Sequence, residues 1–189
     1  IQAVIIPVAQ HKPGVLEKAA ELKSQLEAAG IRVKVDDSNN SAGWKYSEYE
    51  MKGVPVRIEV GPRDIENGEC VLVTRHNREK SVAKLDTLAE SVAAKLVEVR
   101  DGIYNMALEN RENRTYACTT LDEITAALNE KGDGFIKAMW CGSEECEDKV
   151  KEITGVGSRC MPLNQENISD KCVCCGGEAK HLVYWGKAY

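Results

Sequence analysis

The chain has 189 residues, 43% of them apolar and 29% charged, with a formal net charge of −5. That length holds one full domain and a small one. The balance excludes a generic polyanion binder, so any nucleic-acid contact has to be local and selective. No apolar run approaches the roughly 18 residues that a membrane span needs.

The chain opens directly on a strand, Val4-Ile5-Ile6-Pro7-Val8, with no initiator methionine and no leader before Ile1. A buried strand at the first residue predicts that something precedes it in the natural protein. Pro13 then marks a helix start. Val15, Leu16, Ala19, Ala20, Leu22, Leu26 and Ala29 recur at helical spacing, and Gly30 stands where a helix ends. Ile31 to Val35 alternates as a strand, and residues 36–41 are polar loop. Trp44 to Lys52 fits a short helix stopped by Gly53. Val54 to Val60 is a strand with Pro55 near its start, Gly61 to Asp64 a turn, and Cys70 to Thr74 a fourth strand. This β-α-β-α-β-β order predicts an α/β unit, a mixed sheet flanked by helices.

From Ser81 to about Arg114 the pattern is charged and helical, broken only at Gly102. Thr120, with Glu123 three residues on, predicts the capped start of a helix to Leu128. A strand over residues 134–140 runs into Cys141. Glu144 to Thr154 reads as an acidic helix, and the stretch from His181 as a strand and tail. The expected organisation is residues 1–100, a helical connector over 101–118, and a small α+β domain over 119–189.

Six of the eight cysteines lie beyond residue 140. Cys141-x4-Cys146 and Cys172-x2-Cys175 are two knuckles, each able to present two sulfurs to one ion. Gly142, Gly176 and Gly177 let the backbone turn its N–H groups toward the sulfurs. Four thiolates leave no open position, which points to a structural metal. A disulfide framework is the competing reading of an even cysteine count. Cys174 offers a C-x-C alternative, but the longer knuckle favours Cys175. Cys160 reads as a buried free thiol, and His181 as a spare ligand. No phosphate-cradling loop or nucleophile turn appears, and His11, His76 and His181 have no evident nucleophile partner.

Tyr49-Glu50-Met51-Lys52-Gly53-Val54-Pro55-Val56-Arg57-Ile58-Glu59-Val60-Gly61-Pro62-Arg63-Asp64 resembles the signature of the class II aminoacyl-tRNA synthetase anticodon-binding domain in its prolyl form. The two cysteine pairs and the ending Gly186-Lys187-Ala188-Tyr189 resemble the C-terminal zinc domain of archaeal/eukaryote-like prolyl-tRNA synthetases. The resemblance covers the whole chain and implies the class IIa anticodon-binding fold followed by a zinc-binding domain. The ATP- and proline-binding catalytic domain of that family has no counterpart in these residues, which would then be inactive alone.

The resemblance implies that Glu50 and Arg57 contact the two guanines of the proline anticodon. It places a basic residue at Arg63 and a lysine beyond the fourth strand. That lysine falls at Glu79 without a gap and at Lys80 with a one-residue shift; Lys80 is the choice that keeps the charge. It further implies structural zinc on Cys141, Cys146, Cys172 and Cys175, and a Tyr189 carboxylate directed toward the parent's active site. The partners implied are tRNA(Pro) and the parent's catalytic domain, in a cytoplasmic homodimer that uses ATP, with no membrane or DNA. Arg can pair bidentately with guanine O6 and N7, and a carboxylate can accept from N1–H and the N2 amino group of an unpaired guanine. The rival from another class is a stand-alone RNA- or protein-binding module with a zinc site.

Overall fold

The computed structural model describes residues 1–188. The chain forms two compact units, the first Ile1–Asn105 and the second beginning at Met106.

In the first unit a five-stranded mixed sheet runs in the order β2-β1-β3-β4-β5. Its strands are β1 (Ala3–Pro7), β2 (Val33–Val35), β3 (Val56–Val60), β4 (Glu69–Thr74) and β5 (Lys80–Lys84). β1 pairs parallel with β2 and β3, and β4 pairs antiparallel with both β3 and β5. The crossovers are α1 (Val15–Ala28) and α2 (Ala42–Met51), a short α3 (Pro62–Glu66) links β3 to β4, and α4 spans Leu88–Asn113.

Alternation along the strands sets the two faces. Ala3, Ile5, Val56, Ile58, Val60, Cys70, Leu72 and Ala83 turn one way, onto Ala19, Leu22 and Leu26 of α1 and Leu88, Val92 and Val99 of α4. On the other face, Val4 and Ile6 pack against Tyr49 and Tyr46 of α2. α2 covers the β1 side of that face and reaches β3 through Tyr46 and Glu50, which lie against Arg57. Over β3, β4 and β5 the same face carries Arg57, Glu59, Val71, Val73, Lys80 and Val82, and Val82 is exposed.

The second unit holds a four-stranded sheet in the order β6-β7-β9-β8. It comprises β6 (Thr115–Ala117), β7 (Phe135–Trp140), β8 (Val156–Cys160) and β9 (His181–Lys187), with α5 (Leu121–Lys131) and α6 (Glu144–Thr154). Its core gathers Ile136, Ala138, Val183 and Trp185 from the sheet with Ile124 of α5 and Val150 of α6. Thr120 caps α5 by accepting from the Glu123 N–H at 3.2 Å. The Glu123 carboxylate bonds the N–H of Thr119 at 2.6 Å, one residue before the cap.

The sequence reading needs correction at several elements. Residues 80–84 are strand, not the start of a long helix. β5 pairs with β4 along its length, burying Ala83 and turning Val82 outward, which inverts the usual apolar pattern. The expected helical connector over 101–118 resolves into the last part of α4, which passes Gly102 without a break, and β6. Residues 62–66 form a short helix where only a turn was expected, and β8 was not anticipated. No helix among the described residues is long and apolar enough to cross a membrane.

Candidate functional site

Arg57 is the second residue of β3 and only 9% exposed, on the sheet face that α2 packs against. Its Nε donates to Glu59 Oε1 at 2.9 Å, and its Nη1 donates to Glu50 Oε1 at 2.9 Å. The guanidinium lies over the Tyr46 ring, 4.1 Å from the centroid. Each partner follows from local geometry. Glu59 is two residues along the same strand and shares its face. Tyr46 and Glu50 are four apart on α2 and share a helical side. Gly53, at φ +74°, reverses the chain between α2 and β3 so that Glu50 comes back over Arg57.

The network extends outward. Lys80 Nζ reaches Glu59 Oε2 at 3.7 Å, because Lys80, Val73 and Arg57 stand in register across three strands. Arg78 Nη2 lies 3.5 Å from Glu50 Oε2, and Arg75 Nε donates to the Glu50 main-chain carbonyl at 3.1 Å. The neighbouring Glu79 is occupied elsewhere, its carboxylate accepting from Asn77 Nδ2 at 3.1 Å. Arg63 is exposed on α3 and joins none of the ion pairs among the described residues. The structure therefore gathers Glu50, Arg57 and Lys80 and leaves Arg63 apart. Glu59 and Tyr46 were missed from sequence, although the two-residue and four-residue spacings carried the signal. Burial, helped by the negative charge of Glu59, pushes the Tyr46 hydroxyl above its ordinary range, so it stays neutral.

Such a cluster can read a base edge. Arg57 uses two of its five N–H groups and retains three more. The second oxygens of Glu50 and Glu59 are engaged only at 3.5 Å and 3.7 Å, by exposed cations. Fixed donors and acceptors thus stand side by side, next to exposed Lys80 and Val82 of β5.

In the second unit the sulfurs of Cys141, Cys146, Cys172 and Cys175 all lie within 4.8 Å of one another. Cys141 follows β7, Cys146 sits in the first turn of α6, and Cys172 and Cys175 bracket a turn that Gly176, at φ +71°, closes. Tetrahedral zinc, with bonds of about 2.3 Å, sets its sulfurs roughly 3.8 Å apart, so sub-ångström shifts would complete the sphere. Burial raises the Cys172 thiol, but N–H groups of Cys175, Cys174 and Cys141 aimed at its sulfur outweigh that and bring it to about 7. Burial raises Cys146 and Cys141, and neighbouring thiols add to the rise at Cys146. Four thiols crowded this way favour a cation that lets them ionise together, so the donor set fits a structural metal.

Cys174 is not among the four and packs against the core of its unit. Cys160 is exposed on β8 rather than buried. The bulge between Ser158 and Cys160 sets it opposite Tyr184 at the sheet edge, away from the apolar core that the neighbouring Met161-Pro162 suggested. His181 lies beside Trp140 with the rings tilted at 45° and their centroids 6.2 Å apart. Tyr189, with its expected carboxylate direction, lies outside the described residues.

Comparison with known proteins fits both halves. Residues 2–95 match the family described as anticodon binding domain, and residues 121–189 match prolyl-tRNA synthetase, C-terminal. The chain is 57% identical to a proline–tRNA ligase of Clostridium botulinum (strain Loch Maree / Type A3) and 58% identical to one of Ruminiclostridium cellulolyticum, in each case over all of this chain. A proline–tRNA ligase of Clostridium novyi is 55% identical. The chain spans 39% of the length of these relatives. By this similarity along its whole length, the chain belongs to the prolyl-tRNA synthetase family and carries that family's anticodon-binding and C-terminal regions.

Proposed function

We propose that the first unit selects tRNA(Pro) by reading its anticodon guanines, with Arg57 and Glu50 as the base-contacting pair and Lys80 beside them. The observation that carries this reading is the Arg57 guanidinium, held by Glu50, Glu59 and Tyr46 beside the exposed cations Arg78 and Lys80. A guanidinium clamped at Nε and at one Nη1 hydrogen keeps its outward donors in fixed directions, so little entropy is lost when a base arrives. Arg63, exposed and outside the network, is assigned a contact to the phosphate backbone.

In the second unit we assign zinc to Cys141, Cys146, Cys172 and Cys175, where it holds the knuckles together. The described residues divide accordingly into an anticodon-binding unit and a zinc-binding unit. In the whole enzyme these would serve a catalytic domain that activates proline with ATP and charges the tRNA. That enzyme is assigned to the cytoplasm as a homodimer, with the Tyr189 carboxylate directed to its active site.

Titration with a proline anticodon stem-loop, and with the same loop after both guanines are replaced, tests the central claim. Preference for the guanine-bearing loop is expected. Equal affinity for both would overturn base reading.

A further inference from the structure

Beside the Arg57 cluster lies a groove of about 440 Å³ lined by Ser47, Glu50, Met51, Arg75, His76 and Arg78. The base-reading assignment does not use it. We propose that this groove holds a backbone phosphate of the RNA strand leaving the Arg57 site, clasped by Arg75 and Arg78; the inference rests on the anticodon reading above.

The groove has the chemistry for that ligand. Two guanidinium groups face it and only one carboxylate, that of Glu50. Glu50 already spends one oxygen on buried Arg57, 2.9 Å away, and lies 3.5 Å from Arg78 with the other. The Arg78 side chain is 77% exposed, so its pairing with Glu50 is screened and readily exchanged. Arg75 spends its Nε on the Glu50 main-chain oxygen, and the rest of its fork remains available. Met51, 86% exposed, offers an apolar edge on which a ribose or base can rest.

The hairpin tip that presents both arginines is braced. Asn77 Oδ1 accepts from the Thr74 hydroxyl at 2.6 Å and from the Glu79 N–H at 3.1 Å, and the Arg78 N–H donates to the Thr74 carbonyl at 2.9 Å. Arg78 itself takes φ +60°, where glycine or asparagine would be less strained. Glu50 thus joins the two sites. The weak, exposed Arg78–Glu50 pairing lets the Arg78 guanidinium turn to a neighbouring phosphate whichever base is bound.

The test is the affinity of the zinc-loaded chain for the proline anticodon stem-loop, and for the loop lacking both guanines, over a range of salt. Arg78→Gln should weaken binding about threefold to tenfold on both loops and flatten the salt slope by about 0.7, the value of one single-strand phosphate. Arg78→Lys should retain most of the affinity. Arg78→Gly, unstrained at this φ, should fold at least as stably and lose as much as Arg78→Gln. Unchanged affinity and slope in both charge-removing variants would overturn the phosphate contact while wild-type preference for the guanine loop left the anticodon reading intact. A loss confined to the guanine-bearing loop would also overturn it, assigning Arg78 to the base. A wild-type chain with no preference between loops would remove the anticodon reading and this inference together.

Discussion

Arg57 Nη1 donates to Glu50 Oε1 at 2.9 Å across the turn at Gly53, so the two groups assigned to the bases hold each other before RNA arrives. Arg57→Ala removes the bidentate donor to guanine and the group that fixes the Glu50 carboxylate. It should cost roughly tenfold to a hundredfold on the cognate stem-loop, the equivalent of about 1–3 kcal/mol. It should cost much less on the loop without guanines. Arg57→Lys should rescue little, because an ammonium cannot reproduce the planar fork. Equal losses on both loops would show that Arg57 only neutralises phosphate.

Glu59→Gln tests whether Arg57 acts from a fixed position. The Arg57–Glu59 bond pins Nε, and the same carboxylate anchors Lys80. Losing it should weaken cognate binding by about threefold to tenfold. In the Arg57→Ala background the same change should have little further effect, because residues in one network are not additive. Additive losses in this double-mutant cycle would give Glu59 an independent role.

Removing the metal should act on one unit. A chelator or Cys146→Ser should release about one zinc per chain and loosen residues beyond about 115. Structural zinc supplies on the order of 10 kcal/mol of apparent binding energy in small domains. Cys174→Ser should keep the metal, since Cys174 lies outside the four-sulfur cluster. Metal analysis with hydrogen exchange reads both outcomes, and retention of zinc by Cys146→Ser would contradict the ligand assignment.

Gly102 permits a contact that no other residue would. A Cβ at this position would sit 2.4 Å from His76 Cδ2. Gly102→Ala should therefore destabilise the first unit, by about 1–2 kcal/mol, despite the better helix propensity of alanine. In a His76→Ala background the same substitution should stabilise by up to about 1 kcal/mol, because only propensity remains. Denaturant melts of the four variants give the sign in each background.

Lys45 is 2% exposed, and its Nζ donates to the Asp36 carbonyl at 2.8 Å and to Gln10 Oε1 at 2.9 Å. Burial raises the Asp36 carboxyl, but hydrogen bonds from Ser38 and the charge of Lys45 outweigh it, holding the group below its ordinary 3.8. The folded state thus favours ionised Asp36, whose contribution to stability is complete above about pH 4 and fades as pH falls through the lowered value. Asp36→Asn should cost stability at pH 7, and the gap to wild type should narrow below about pH 4. A gap independent of pH would mean that the charge is immaterial. Lys45→Met should cost about 3 kcal/mol at neutral pH, because it removes the cation beside a buried carboxylate and the donor to the Asp36 main-chain carbonyl.

The β-α-β-α-β core was legible because strand alternation, the α1 periodicity and Gly30 and Gly53 all pointed one way. The cysteine knuckles were legible from spacing, and the glycine after Cys175 favoured it over Cys174. β5 was not, because Lys80-Ser81-Val82-Ala83-Lys84 buries a small alanine and exposes its valine, so its pairing comes from β4 and not from apolar pattern. β6 was hidden for a related reason: three residues directly after a long helix carry too short a period to register. Glu59 and Tyr46 were overlooked because each reads as ordinary surface until Arg57 is placed beside it.

Between Met161 and Lys180 the chain forms no helix and no named strand, only a single bridge from Lys171 to Glu178. Its start is tied by Gln165, which bonds the main chain of Leu182 from both ends of its amide, and its end by Cys172 and Cys175. Closure entropy grows only logarithmically with loop length, so doubling the span between these ties would cost about 0.6 kcal/mol. Leu163, just before the first tie, is fully exposed. This arm is where the chain can grow, accepting inserted sequence as a graft while the glutamine tie and the four-cysteine cluster keep the strands beneath in register.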